Sequence, residues 1–330
     1  MKRLFWTVLV LGAVAFFPSC TTYHSITFDR LQAAEVNYPE QIRTVGVINY
    51  LPLQEVKKKS LDNTSGTLEG DGKVAAEVLA QEIAATNYFN QVVICDSVIR
   101  KSVSDTDWSQ PLSGYKADSL IESLGVDMLF SVERVHVQLE ESNLFLPNIM
   151  VQVPVIDGIV TPLIRAYVPG RHTPLFTFSK TDTIYWEMRP DLTQDRVIKD
   201  ASEYAGVLPA RHLLPHWKEV ERYYFDGGVS EMRDAGIYVR EQNWEEAVSL
   251  WQSLYDSKKG KNKMYAAYNL ALYYEMQDEL EKAREYLDVA LSLAKEESWE
   301  KQMIVFYQVQ LEEEAQKNRH LKIQMKRFEL

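Results

Sequence analysis

The chain has 330 residues, of which 46% are hydrophobic and 25% charged, and its formal net charge is −11. This is the composition of a globular protein that is long enough to bury a core without disulfides. The acidic balance argues against nucleic acid as a partner and against adsorption to anionic lipid, because both carry negative charge themselves.

The first twenty residues follow the pattern of a bacterial export signal. Lys2 and Arg3 form a short positive region, and residues 4–17 form an apolar run. A membrane-spanning helix needs about 17–25 residues, so this run predicts a cleaved signal peptide over residues 1–19 rather than an anchor helix. Loss of Lys2 and Arg3 with the signal changes the net charge from −11 to −13.

The junction of Ser19 and Cys20 resembles the lipobox of bacterial lipoproteins, and the chain resembles uncharacterised lipoproteins of the Bacteroidota. The resemblance implies cleavage before Cys20 and acylation of that cysteine, with palmitate-type chains that hold the protein at a membrane. Residues 21–25 contain no acidic residue, which by the same resemblance favours the periplasmic face of the outer membrane. Residues 20–40 are then expected to be a lipidated tether. Cys95, the other cysteine, is expected to be a small buried hydrophobe.

Residues 41–226 are predicted to form an α/β domain. The predicted strands lie at 44–50, 91–95, 126–139, 150–156, 162–168 and 175–186, and the predicted helices at 74–86, 115–124 and, with interruptions near Pro209 and Pro215, 196–225. Asp157-Gly158 and Pro169-Gly170 are expected to separate strands. The order predicts an α+β or α/β fold with a mixed sheet and helices on at least one face. It resembles the small α/β domains of periplasmic lipoproteins related to the curli-export and TolB amino-terminal folds.

Residues 227–330 contain an internal repeat. Ala235, Tyr238, Ala247, Trp251 and Leu254 recur 36 residues later as Ala271, Tyr274, Ala283, Leu287 and Ala290. A fixed period of this kind is typical of stacked helix pairs, and the pattern resembles the tetratricopeptide repeat. Residues 299–314 predict a helix that caps one end, residues 213–225 are expected to cover the other, and residues from Gln316 onward are expected to fray.

The tetratricopeptide resemblance implies a partner-binding groove lined by the first helix of each repeat. The positions that it assigns to this groove are Met232, Gly236, Val239, Arg240, Tyr265, Tyr268, Asn269, Leu272 and Glu275. Asn269 matches an asparagine that contacts a peptide backbone in many family members. The implied partner is an envelope protein or peptide. The alternative is that this face packs in cis against the α/β domain.

No motif predicts a metal or a cofactor. His212 and His216 are four residues apart, but Pro215 lies between them and no carboxylate pattern supports a metal site. Glu133 and His136 would face opposite sides of the predicted strand. The glycines between residues 66 and 72 lack the spacing of a phosphate-binding loop.

No catalytic motif is present either, so the sequence favours a binding or assembly module over an enzyme. The alternative is a hydrolase that acts on envelope glycan or peptide. Its site would be assembled in the α/β domain from side chains that are distant in sequence, such as Glu133, Asp157, His172 and Asp182.

Overall fold

The computed structural model describes residues 23–52, 64–95 and 111–328. The predicted signal peptide and Cys20 lie outside these residues. The described residues divide into two compact units. The sheet unit comprises the described part of 32–216 together with 321–328, and the helical unit comprises 23–31 together with 217–320.

The described part of the sheet unit contains a seven-stranded sheet and three helices. Its strands are β2 (Thr44–Asn49), β3 (Gly66–Glu69), β4 (Gln91–Cys95), β5 (Met128–Leu146), β6 (Val151–Tyr167), β7 (Phe176–Phe178) and β8 (Asp182–Glu187). Its helices are α1 (Gly72–Ala85), α2 (Gly114–Leu124) and α3 (Gln194–Leu213). The predicted mixed sheet with helices is therefore confirmed.

The sheet is mixed because β2 pairs in parallel with both β4 and β5, while the β5–β6 pair and the pairs at its edges are antiparallel. Side chains alternate between its faces. Met128 and Phe130 belong to the core beneath α1 and α3, whereas Leu129 belongs to a second cluster beneath α2. Helices therefore cover both faces of the central strands.

Two predicted strand boundaries in the sheet unit are wrong. Asp157-Gly158 does not end a strand, because β6 runs through it and pairs with β5 on one side and β8 on the other. A Cβ at Gly158 would lie 2.5 Å from the Trp186 ring, so the glycine gives room to a large side chain of the neighbouring strand. The predicted strand 175–186 is instead two separate strands, β7 and β8.

The helical unit begins with a two-stranded ribbon made of β1 (Tyr23–Gln32) and β9 (His216–Phe225). Residues 23–32 are thus a strand rather than a tether, and residues 216–225 are a strand rather than a helix. Along β9, Val220 and Arg222 are buried while Glu219 and Glu221 are exposed. This period of two is typical of a strand.

Five helices follow in the described chain: α4 (Ser230–Arg240), α5 (Trp244–Ser257), α6 (Gly260–Met276), α7 (Leu280–Leu293) and α8 (Trp299–Met325). The 36-residue period is present in their backbone. α4 and α6 end 36 residues apart, as do α5 and α7, and the turns place Gln242 (φ 60°) and Asp278 (φ 61°) in the same left-handed conformation. The predicted array of helical hairpins is confirmed.

The carboxyl end of the chain is more ordered than expected. α8 continues to Met325, and a 3-10 turn follows over Lys326–Phe328. The Gln324 amide donates to the Ala34 carbonyl oxygen (2.9 Å) and accepts from the Ala34 N–H (2.8 Å), and the Arg327 guanidinium lies 4.3 Å from the ring centre of Tyr88. The expectation of fraying from Gln316 is wrong, because the helix continues to Met325 and residues 321–328 are part of the sheet unit.

Candidate functional site

The predicted groove of the helical unit is filled by the unit's own ribbon. Of the nine positions assigned to it, eight are buried and only Arg240 is exposed. Met232, Asn269 and Leu272 are fully buried, and Tyr224 and Phe225 of β9 belong to the same core cluster. The face that the resemblance assigns to a partner is therefore covered in cis.

Asn269 contacts a peptide backbone, and that backbone belongs to β9. Its Nδ2 donates to the Phe225 carbonyl oxygen (2.7 Å), and its Oδ1 accepts from the Phe225 N–H (2.8 Å). The Phe225 ring stacks on Tyr265, with ring centres 4.1 Å apart, and meets Tyr268 edge-on at 5.0 Å. One side-chain amide thus satisfies both polar groups of a buried residue, which an internal strand ladder would otherwise do.

A buried ionic cluster holds both strands of the ribbon to the helices. The Glu275 carboxylate accepts two hydrogen bonds from Arg222 of β9 (2.8 and 3.0 Å) and one from Arg30 of β1 (3.1 Å). Arg30 also contacts Asp278 (2.9 Å) and Glu314 (3.6 Å). Removal of one partner from such a buried pair leaves an uncompensated charge. The cluster therefore fixes where the ribbon lies on the helical face.

Burial and neighbouring charge shift the pKa values of two groups in this cluster, Tyr307 and Arg222. Burial raises the pKa of Tyr307, and the Glu275 carboxylate, which accepts from its hydroxyl at 2.7 Å, raises it further. Burial by itself would lower the pKa of Arg222, but Glu275 more than offsets this, so that pKa is raised. The tyrosine stays neutral and the arginine stays charged at physiological pH.

The carboxyl end of the ribbon explains the glycine at position 236. A Cβ there would lie 2.5 Å from the Cβ of Asp226, so only glycine lets the chain pass this close to α4. The Asp226 carboxylate lies 2.8 Å from Nε2 of His24 and accepts from Arg240 at 3.2 Å. Arg240, the one exposed position of the predicted groove, thus also contacts the segment that covers it.

The four residues of the hydrolase alternative have separate surroundings. Glu133 is buried at a β-bulge, where it pairs with Arg165 and accepts from the Tyr167 hydroxyl at 2.6 Å. Asp157 lies opposite Glu140, seven residues further along β5, which is about 23 Å at the rise of a strand. Asp182, on β8, accepts from the hydroxyl of a tyrosine in α3, and His172 lies beside the start of α2. Among the described residues, Glu133, Asp157 and Asp182 are therefore not brought together in one cleft.

The two histidines of the predicted pair contact different groups. His212 Nδ1 lies 2.8 Å from a Glu35 carboxylate oxygen, whereas His216 Nδ1 faces the backbone carbonyl oxygen of Leu214 at 3.1 Å. No group of three metal-ligating side chains occurs among the described residues. Across the same residues, no helix combines the length and the hydropathy needed to cross a bilayer.

The outer face of α8 is an exposed apolar part of the helical unit. Phe306, Val309 and Val305 are 61%, 53% and 42% exposed. Leu270, one repeat period before Phe306, is fully buried because α6 has a second helix packed against it. The exposure of Phe306, Val309 and Val305 shows that no described helix covers this face of α8. The helix predicted over residues 299–314 lies within α8, but these three of its apolar side chains are exposed.

A cleft of about 650 Å³ lies between α7 and α8 beside this open face. Its floor is apolar, with Leu280 and Leu311 among its residues. Its rim has four acidic side chains, Glu281, Asp288, Glu312 and Glu313, and two basic ones, Arg284 and Arg319. The arrangement has the apolar centre and polar rim of an interface.

The fold defines the class of protein: a mixed-sheet domain followed by an array of helical hairpins. The chain belongs to the family described as "Domain of unknown function (DUF8603)", whose model matches residues 42–225. Residues 233–313 match a second model, described as "Domain of unknown function (DUF6340)".

Comparison with curated proteins gives no match. Among solved structures, the chain is similar to a PelC dodecamer from Paraburkholderia phytofirmans in space group P6, with 13% identity and a TM-score of 0.25, over 56% of this chain and 98% of that one. It is also similar to a variant of the PelC dodecamer in space group C2, with 12% identity and a TM-score of 0.25, over 57% of this chain and 99% of that one.

Proposed function

We propose that this chain is an outer-membrane lipoprotein, anchored through acyl chains on Cys20, that acts at the periplasmic face as a protein-binding or assembly module with tetratricopeptide-like repeats. The observation that supports this most directly is the place of β1. The strand begins at Tyr23, three residues after Cys20, and Arg30 joins it to Glu275 and Asp278 of the helical array.

The repeat array then has two roles: it binds the ribbon of its own chain, and it offers a surface to a partner protein. Three residues of extended chain span about 10 Å, so an anchor on Cys20 would be tied closely to a strand that is already held. The repeat face uses the contacts by which such arrays bind peptides, namely an amide on the backbone and aromatic rings. Its ligand is the ribbon of the same chain, so force on the anchor would act on a folded unit rather than on a loose tether.

The anchor is tested by the variant Cys20→Ser expressed in a native envelope. We expect it to keep its signal peptide, to lose labelling by palmitate, and to leave the outer-membrane fraction. A matched control is Cys95→Ser, which removes the other cysteine of the chain and should change none of these measurements. Palmitate labelling and outer-membrane fractionation that persist in Cys20→Ser would rule out this anchor.

The partner surface that we propose is the open end of the array, formed by the exposed face of α8 and the adjacent cleft. An apolar stripe beside an acidic rim suits an amphipathic helix with basic flanks, because such a helix would pack on α8 as α7 packs on α6. Phe306, as the most exposed apolar side chain of that stripe, is expected to be central to the interface.

A photo-crosslinking amino acid at Val309 in intact cells tests this surface. We expect one dominant crosslinked envelope protein, and we expect Phe306→Glu to reduce that crosslink by at least tenfold. Tyr115→Glu is the control, because Tyr115 is an 87% exposed aromatic residue of the sheet unit. An equal loss in both variants, or none in Phe306→Glu, would mean that the partner surface lies elsewhere.

A further inference from the structure

The tip of the β5–β6 hairpin, residues 143–154, stands out from the sheet. Val155 is the last residue of β6 that pairs with β8, and it lies opposite Ser142 of β5. Beyond this level the two strands continue for four more pairs, from Asn143↔Pro154 to Leu146↔Val151, with no third strand among the described residues. At the rise of an antiparallel strand the hairpin tip projects by about 14 Å.

The hairpin tip is apolar, exposed and free of charge. Met150 is 77% exposed, Ile149 64%, Phe145 48% and Val151 46%. No charged residue occurs from Ser142 to Ile156, although a quarter of the chain is charged. Contiguous exposed apolar surface of this kind marks an interaction site, because water disfavours it and a soluble protein rarely retains it without a use.

At the turn, the Met150 side chain is exposed although its backbone conformation is unfavourable for a residue other than glycine. Met150 has φ 54°, in the left-handed region that non-glycine residues seldom adopt and that asparagine tolerates best. A long apolar side chain is nevertheless held there, and it points into solvent. A turn optimised only for folding would place glycine or asparagine at this position.

The composition of the hairpin tip fits lipid better than a protein. The residues that contribute most to protein interfaces are Trp, Tyr and Arg, and the hairpin tip has none of them. Strand pairing with a second copy is opposed by Pro154, which has no N–H to donate at the β6 edge. Leu, Ile, Met, Val and Phe side chains instead partition into the region where headgroups meet acyl chains.

The unpaired strand edges of the hairpin tip limit how deeply it can enter a bilayer. Backbone groups of an unpaired strand edge cannot be satisfied in hydrocarbon, so the strands themselves stay out of the bilayer core. We propose that the hairpin tip inserts shallowly into a lipid bilayer surface, with Ile149 and Met150 deepest, as a second membrane contact of this protein. The inference rests on the proposed lipid anchor, because a tip this small binds measurably only when an anchor supplies a high local concentration.

An environment-sensitive fluorophore at position 150 tests the insertion. Met150→Cys, in a Cys20→Ser/Cys95→Ser background that leaves no other thiol, is labelled with a nitrobenzoxadiazole dye on the mature full-length chain. An amino-terminal histidine tag replaces the acyl chains, and nickel-chelating lipid holds the chain on phosphatidylethanolamine–phosphatidylglycerol vesicles. We expect the emission to rise at least twofold on these vesicles and to be quenched by lipids with a doxyl group near the headgroup. The same dye at Tyr185, a 57% exposed residue of β8, should show neither change.

Each further outcome decides for or against the inference. Ile149→Asp should return the signal at position 150 to the level of the Tyr185 control, since a carboxylate opposes insertion. An unchanged emission at position 150 would overturn the inference. So would vesicle-independent self-association that Ile149→Asp abolishes, which would assign the hairpin tip to a second copy. Because the tag holds the chain in place of the lipid, failure of Cys20 acylation would leave this readout intact, and the two proposals fail separately.

Discussion

Replacement of Asn269 by alanine should destabilise the helical unit strongly, although the residue lies at a position where a tetratricopeptide repeat contacts its ligand. The change removes two hydrogen bonds and leaves the Phe225 N–H and carbonyl oxygen buried without their partner. Each buried polar group that loses its partner costs about 1–3 kcal/mol. Allowing for partial relaxation, we expect the free energy of unfolding to fall by roughly 2–5 kcal/mol.

The measurement is urea unfolding followed by circular dichroism, combined with hydrogen exchange at the Phe225 amide. That amide should be among the slowest to exchange in the unaltered chain and should lose most of its protection in Asn269→Ala. Gln302→Ala is the control, because it also replaces an amide by alanine on a helix of the same unit but at an exposed position. We expect it to change the stability by less than about 0.5 kcal/mol.

The result that would refute this reasoning is an Asn269→Ala protein with unchanged stability and rapid exchange at Phe225 in both proteins. The ribbon would then be mobile on the helical face, and the groove would be available to a partner. Equal losses in Asn269→Ala and Gln302→Ala would also contradict it, because the effect would then belong to the helices and not to the ribbon.

Three further perturbations test other parts of the fold. Arg30→Ala should lower stability by about 1–3 kcal/mol in urea unfolding, since it removes one of three hydrogen bonds to the buried Glu275 carboxylate while the two from Arg222 remain. Gly206→Ala should cost about 1–3 kcal/mol in thermal unfolding, because its Cβ would lie 2.7 Å from a backbone carbonyl oxygen of α1. Burial opposes ionisation of Asp127, but hydrogen bonds, among them that from the Thr44 N–H, hold its pKa below the ordinary 3.8. Its contribution to stability is therefore present above about pH 5 and is lost as the pH falls through the lowered pKa, and Asp127→Asn should remove this part of the pH dependence of the melting temperature.

Much of the sheet unit follows from local patterns in the sequence. The strand predicted at residues 91–95 has those bounds in the structure, and the helix predicted to end at Gly125 ends there with that glycine in the left-handed conformation. These segments could be predicted because their signals are local: a β-branched run, a 3.6-residue period, and a glycine where only positive φ continues the chain. The strand end predicted at Asp157-Gly158 is wrong because the glycine makes room for Trp186, 28 residues further along, and no local pattern shows this contact.

The ribbon shows the opposite case. The segment from His216 to Phe225 has a period-two pattern, but it is predicted from sequence as the last part of an interrupted helix over residues 196–225. Tyr23 to Gln32 was interpreted as a tether because little distinguishes a short strand from a linker when its partner lies nearly 200 residues away. Pairing of β1 with β9 is a non-local event, and no propensity of either segment specifies it.

The sequence by itself determined the 36-residue repeat, the helical hairpins and the mixed sheet, because periodicity and turn chemistry are written into neighbouring residues. It also identified Asn269 as a residue suited to hold a peptide backbone. Only the tertiary structure decided which backbone that is: Phe225 of the same chain, fixed by Arg30 and Arg222 on Glu275. Whether the groove is open or filled depends on buried ion pairs and on apolar contacts between segments that are distant in sequence. These interactions form only when the segments pack together, so no local pattern in the sequence encodes them.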